Sequence, residues 1–321
     1  MHEGHILPIR EPLLKAYLHI GMPFSILPEE FEKNGWVYNT YIQLVYHDEN
    51  PMDAFMDFTQ ERFWEEHNVF TKGFFSFPAG TEEERREMLK EWKQFIDMGY
   101  YIFGDWDEYY IPDTPFYEKD FFRHYFFAYG YENGEICVEG YLADGHWHRF
   151  RVEEEVFLQA VLSDKDRDKN GYVGVNLYRP RDSRHFHFDP DTVKREVQAY
   201  LGSEGENAAL SYGVRATERF FDDMTGAMNA GADFPIQSVY IIYEHKLMML
   251  RRLEYMASMN TGCTEEDVQD YKKVVDQIFS VVCSCVKYRM ARRLAHVNKV
   301  SEKIEDAMKS EQKILRRIFD E

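Results

Sequence analysis

The stretch YYIFGDWDEYYIPDTPFYEKDFFRHYFFAYGYENGEICVEGYLADGHWHRFRVEEEVFLQA, residues 100–160, decides the fold. It reads as a strand ending at Gly104, an aromatic and acidic loop closed by Pro112 and Pro115, and a crossing from polar to apolar at Arg123-His124 into a second strand, FFAYGY. Glu132-Asn133-Gly134-Glu135 forms a tight turn, ICVEGY a third strand and HWHRFRV a fourth, after which 153–162 turns helical. The expectation is an antiparallel sheet with a histidine at its mouth and a carboxylate-rich loop just before it.

Upstream, Thr81 followed by Glu84 has capping-box spacing, and Glu82-Glu83-Glu84 suits the first turn of a helix. Met88, Leu89, Trp92, Phe95 and Ile96 recur at helical spacing, so one amphipathic helix runs to near Gly99 and feeds the first strand. A helix leading into antiparallel strands argues for α+β packing rather than a repeated parallel unit. Before it, FTKGFFSFPAG is expected to be a strand, 52–58 an apolar element, and VYNTYIQLVYH either a buried strand or a short helix. The segment 4–28 carries Pro8, Pro12, Pro23 and Pro28, which predict short extended pieces and turns.

Downstream, the charged run SDKDRDKNG precedes a strand, GYVGVNLYRP, and Asp189-Pro190-Asp191 opens a helix through TVKREVQAYLG. Beyond Gly205 the periodicity becomes that of long helices, broken at 226–235 and 260–262. The chain is therefore divided at this stage into an α/β core, 1–205, and a helical region, 206–321, packed on it.

Composition narrows the function. A formal charge of −19, from 57 acidic and 38 basic residues, opposes nonspecific binding to nucleic acid. Aromatic residues make up 16% of the chain and predict rigid apolar contacts in the core or at a cleft. Cys137, Cys263, Cys283 and Cys285 form no framework of pairs, which suggests a reducing compartment. The first residues, MHEGHILPIREPLLKAYLHIG, interrupt any signal-peptide core with charge, and no apolar run reaches the roughly 20 residues that cross a bilayer. A cytoplasmic protein without a membrane anchor is expected.

Several motif-like stretches fail on spacing. Asp166, Asp168, Asn170 and Gly171 open like a calcium loop, but Leu177 stands where a bidentate glutamate is needed. His146-x-His148 and His185-x-His187 lack a third ligand for zinc, and Cys283-x-Cys285 lies on a helix, where residues two apart do not share a face. There is no P-loop and no dinucleotide fingerprint, so neither metal nor cofactor is expected. His124 is the candidate acid or base, with Asp105, Asp107, Asp113 and Asp144 as the local carboxylates that could orient its ring.

The run from DEYYIP to VEEEVFLQA resembles the histidine half of the papain-fold family named after the N-terminal domain of the butirosin biosynthesis protein H. Asp107, Ile111-Pro112, His124 and Gly130-Tyr131 occupy the family's motif positions, and YIIYEHKLMMLRRLEYM, 240–256, resembles the helical extension of its stand-alone members. The resemblance implies a papain-like α/β core with a mainly antiparallel sheet plus a C-terminal helical layer. It also implies acyl- or aminoacyl-transferring, amide-forming chemistry in natural-product biosynthesis. The partners would be an acyl or peptidyl carrier protein with a phosphopantetheine-linked substrate, and a small amine or peptide acceptor.

The family's nucleophilic cysteine is missing, because all four cysteines follow His124 and none precedes residue 137. Val37 or Thr40 occupies the nucleophile region, with Ser25 a further possibility. The site expected from sequence is thus His124 with Asp144 or Asp107, and Thr40. The alternatives are a catalytically silent papain-like protein that binds a carrier protein or peptide, and a peptidase-like hydrolase.

Overall fold

The computed structural model describes residues 4–48, 54–59, 68–78, 81–163, 172–292 and 295–320. The chain opens with β1 (Gly4–Ile6), α1 (Leu18–Ile26), α2 (Glu30–Lys33), β2 (Leu44–His47), β3 (Phe55–Phe58) and β4 (Phe70–Pro78). It continues with α3 (Glu82–Asp97), β5 (Tyr101–Asp107), β6 (Arg123–Glu132), β7 (Glu135–Tyr141), β8 (Trp147–Glu153), α4 (Glu154–Val161) and β9 (Tyr172–Pro180). Then come α5 (Pro190–Gly202), β10 (Ser211–Tyr212), α6 (Gly213–Asn229), α7 (Ile236–Ser258), α8 (Glu265–Ala291) and α9 (Ala295–Phe319). The fold is mixed α+β with antiparallel sheets.

The residues gather into two units, Met1–Leu27 with Trp64–Asp182, and Pro28–Phe63 with Ser183–Glu321. The two ranges interleave along the chain, and position 205–206 falls inside the second unit.

The first unit is a sheet in the order β4-β9-β5-β6-β7-β8, with β1 also paired to β6. The hairpin from β6 to β7 closes through Asn133 (φ 55°) and Gly134 (φ 82°), the two left-handed residues that a tight twisted turn requires. Where β5 stops pairing, β1 takes over the same edge of β6, with Ile6 opposite Gly130. A Cβ at Gly130 would lie 2.8 Å from the His5 carbonyl oxygen, so the crossing strand admits only glycine there.

Strand alternation gives the sheet two distinct faces. Phe126 packs its ring against Trp92 of α3 and Phe157 of α4. Phe127 points the other way, toward Met22, Pro23 and Ile26 of α1. Thr81 makes the expected reciprocal capping box with Glu84 at the start of α3.

The segment 4–28 departs from its sequence reading, because α1 is helical through Pro23. Eight of its nine residues are buried, so packing outweighs the one donor that the proline removes. The ambiguous VYNTYIQLVYH divides into a 3-10 turn, Trp36–Asn39, and the strand β2.

The second unit holds a sheet in the order β10-β2-β3 together with α2 and the helices from α5 onward. Asp189 caps α5 through the amides of Asp191 and Thr192, with Pro190 at its first position. Lys246 of α7 and Glu311 of α9 form a fully enclosed ion pair at 2.8 Å. Tyr200 of α5 and Tyr271 of α8 donate their hydroxyls to the two oxygens of Glu311, at 3.0 and 2.6 Å. Beside them, buried Arg252 donates to the carbonyls of Tyr38 and Thr40 and so pins the turn before β2.

Candidate functional site

Trp106 of β5 pairs with His124 of β6, and Asp107 pairs with Arg123. Even-numbered residues of both strands therefore share the face covered by α3 and α4, and His124 lies on it with Phe126. Glu108, the next even position, opens a 3-10 turn (Glu108–Tyr110) and stands diagonally across from the histidine.

The contact is direct, with His124 Nδ1 2.6 Å from Glu108 Oε1. The carboxylate side chain is 4% exposed while the histidine is 35% exposed. With Glu108 ionised, Nδ1–H donates to it and the lone pair is left on Nε2, the arrangement of a positioned general base. Glu108 Oε2 is buried and accepts no hydrogen bond among the described residues.

Aromatic rings flank the pair. Phe122 sets its ring at 60° to that of His124, with centroids 5.6 Å apart, and stacks on Phe116 at 4.3 Å. Phe121 stacks on Tyr109 at 4.4 Å, and both Phe121 and Phe122 remain exposed. The imidazole thus opens beside flat apolar surface. Such a site can take a proton from a bound nucleophile and hold it.

A scan against protein-family models and a search of curated proteins each return no match.

The other residues expected from sequence are placed elsewhere. Asp107 is not the partner of His124, because its oxygens accept from the amides of Tyr109 and Phe122, both at 3.1 Å, and from the Ser163 hydroxyl at 2.6 Å. It fastens both ends of the loop that carries Glu108 and Phe122. Asp144 is not the partner either. Its carboxylate accepts from the His146 amide at 2.9 Å and lies 2.8 Å from His148 Nε2. Those two contacts, the amide first, hold its carboxyl below the usual range.

Thr40 belongs to the second unit, where it is buried and its hydroxyl donates to the Val37 carbonyl at 2.9 Å. Ser25 lies on α1, so it faces the side of the sheet opposite His124, and its hydroxyl donates to the Met22 carbonyl at 2.8 Å. Among the described residues no serine, threonine or cysteine hydrogen-bonds to the ring of His124.

The cysteines are all free thiols. Burial pushes Cys137 up, and pushes Cys263 and Cys285 up to about 12, which suppresses the reactive thiolate. The calcium-like residues Asp166, Asp168, Asn170 and Gly171 lie outside the described residues. Among the described residues no group of three or more histidine, cysteine, aspartate or glutamate side chains is placed to hold a metal ion. No described helix is long and apolar enough to cross a membrane.

Glu108 is the member of the candidate site that sequence reading missed. A register for the 101–107 and 123–132 pair would have exposed it, since Asp105 and Asp107 then fall on the opposite parity from His124.

Proposed function

We propose that the first unit is a histidine-dependent acyl- or aminoacyl-transferring, amide-forming enzyme in which the substrate brings its own nucleophile. The observation that carries this reading is the 2.6 Å contact between His124 and the buried Glu108. In the proposed step an acceptor amine attacks the carbonyl carbon of a thioester, and His124 Nε2 takes the proton that the nitrogen loses. The carbon–sulfur bond then breaks, and the leaving sulfur receives that proton from the imidazolium. Glu108 is a positioning residue that fixes the tautomer and steadies the imidazolium.

This reading retains the papain-related ancestry suggested by His124 and Gly130-Tyr131 while dispensing with the thiol. A carrier protein bearing a phosphopantetheine-linked acyl group is the proposed donor. The acidic balance of the chain, −19, favours capture of a cationic acceptor such as a protonated amine, which gives up one proton to solvent before its free nitrogen attacks.

The test is amide formation from acyl-N-acetylcysteamine thioesters and a panel of amines, followed by mass spectrometry. Glu108→Gln should lower kcat while leaving KM little changed, because the ring loses the carboxylate that orients it but the substrate surface stays intact. Amide formation that is indifferent to both His124→Ala and Glu108→Gln would overturn the proposal. The second reading, a catalytically silent binding protein, draws on the same lack of a protein nucleophile hydrogen-bonded to His124. It predicts carrier-protein binding that survives both substitutions.

A further inference from the structure

On the face away from His124, helix α1 is seated over a carboxylate that has no hydrogen bond. Glu139 of β7 stands opposite Phe127, its side chain is 0% exposed, and neither oxygen has a hydrogen-bond partner among the described residues. Arg149, directly across on β8, brings Nε only to 3.7 Å from Oε2. The Trp147 indole N–H faces the carboxylate from the same strand and is itself buried without a partner. Ser25 faces it from α1, but that hydroxyl donates to Met22.

The remaining ionisable groups around Glu139 do not compensate it. Glu11 repels it, while Tyr101 and Tyr129 feel its charge, the former donating its hydroxyl to the Pro8 carbonyl. The only ionisable side chain within α1 is His19, which lines a groove beside the helix. Burial consequently pushes the Glu139 carboxyl up to about 7, and Ser25, Trp147 and Arg149 offset only part of the shift.

We propose that Glu139 is a proton-operated latch for α1: with the carboxyl neutral the helix lies closed on the sheet, and with it ionised the helix loosens and opens the groove that Met22, Pro23 and Ile26 line. The step is release of one proton from the carboxyl to solvent, with no other bond made or broken.

An enclosed carboxylate whose facing groups, Trp147, Ser25 and Arg149, form no hydrogen bond with it is costly to ionise, so ionisation drives either those donors inward or water beneath α1. The helix is the element that yields. It has nine residues, an internal proline and no side-chain cap at Tyr17, whereas β7 is paired on both edges. Gly21 seats α1 directly on the Trp147 ring, where an added Cβ would lie 2.7 Å away, so movement of the helix must part that one close contact with β8. The groove beside α1, walled by Phe70, Phe103, Phe127 and Tyr178, has room for only about 30 Å³ while the helix is closed, so an aliphatic or aromatic ligand enters only when the helix moves.

Hydrogen exchange on the full chain tests the latch at about pH 6 and about pH 8, with rates corrected for the intrinsic effect of pH. Peptides spanning 18–26 should lose about tenfold protection at the higher pH in the wild type and none in Glu139→Gln. Nile red, an uncharged probe, should bind more strongly above the transition in the wild type only. Loss of protection in both proteins, or in neither, overturns the proposal. Should Glu139→Gln fail to fold, Arg149→Gln decides, since Arg149 is 40% exposed and its removal should move the midpoint to higher pH. An unmoved midpoint overturns the proposal equally.

Discussion

In the second unit the buried Lys246 directs its ammonium protons at Glu311, Tyr200 and His245, whereas in the first unit the buried carboxylates Glu108 and Glu139 keep oxygens that no donor reaches among the described residues. Both regions bury charge, and the Lys246 cluster satisfies its members where Glu108 and Glu139 are left with open oxygens. His245 shows how complete the satisfaction is. Its Nε2 lies 2.7 Å from the Ile42 carbonyl and its Nδ1 faces Lys246 at 3.3 Å, so the ring is held neutral by burial and by that cation. A network of this kind has no capacity left for a ligand and acts to fix one packing of α5, α7, α8 and α9. Orphan acceptors beside a half-exposed histidine or beneath a short helix leave capacity for chemistry and for protons.

The comparison can be broken at either end. The largest effect is expected at the unsatisfied end, where His124→Ala should lower turnover by roughly 100- to 10,000-fold with an unchanged unfolding curve. Equal turnover by the purified variant would end the assignment.

At the satisfied end, Lys246→Met leaves Glu311 buried without its cation and should cost about 3–5 kcal/mol in urea unfolding. Adding Glu311→Leu should restore much of that loss. A single variant as stable as the wild type would show that the network is dispensable.

Glu139 gives a smaller effect with a definite sign. Its folded-state pKa is about 7 against an ordinary 4.5, so the folded protein holds a proton that the unfolded chain has lost between those values. Stability contributed by the neutral carboxyl is therefore full below pH 4.5 and is lost as pH rises toward 7. Relative to Glu139→Gln, the wild type should lose up to roughly 3 kcal/mol across that window. Parallel stability profiles for the two proteins would remove Glu139 from the comparison.

The smallest expected effect is a null result. Iodoacetamide at about pH 7.5 should leave Cys137, Cys263 and Cys285 unmodified in the native protein, with adducts confined to the half-exposed Cys283. Rapid labelling of a buried thiol, coupled to loss of activity and blocked by substrate, would bring back a thiol enzyme.

Local signals proved readable wherever a backbone rule operates. Thr81 with Glu84, Asn133 with Gly134, and Asp189 with Pro190 each mark a terminus or a turn that the fold contains. The long helices of the second unit were likewise evident from periodicity, and α7 spans Ile236–Ser258. What escaped reading depends on partners distant in the chain. Helix α1 survives Pro23 because tertiary burial surrounds it, and β1 is a strand only because it lies along β6. Glu108 could not be chosen over Asp105 or Asp107 without the register of two strands separated by a loop. The Lys246 cluster draws on four helices, and no spacing within one helix announces it.

The interleaving of the two units carries a consequence for biosynthesis. As the ribosome releases the chain, Pro28–Phe63 emerges early, yet the rest of its unit begins only at Ser183. The first unit is complete in sequence once Asp182 is out, so it can close while β2 and β3 still await β10 and the helices that cover them. During that interval a hydrophobic insert is tethered at both ends to an already folded neighbour. Its exposure lasts for synthesis of more than a hundred residues, several seconds or more at about 5–20 residues per second. That interval is when a chaperone has most to protect, and when two nascent chains are best able to exchange the insert.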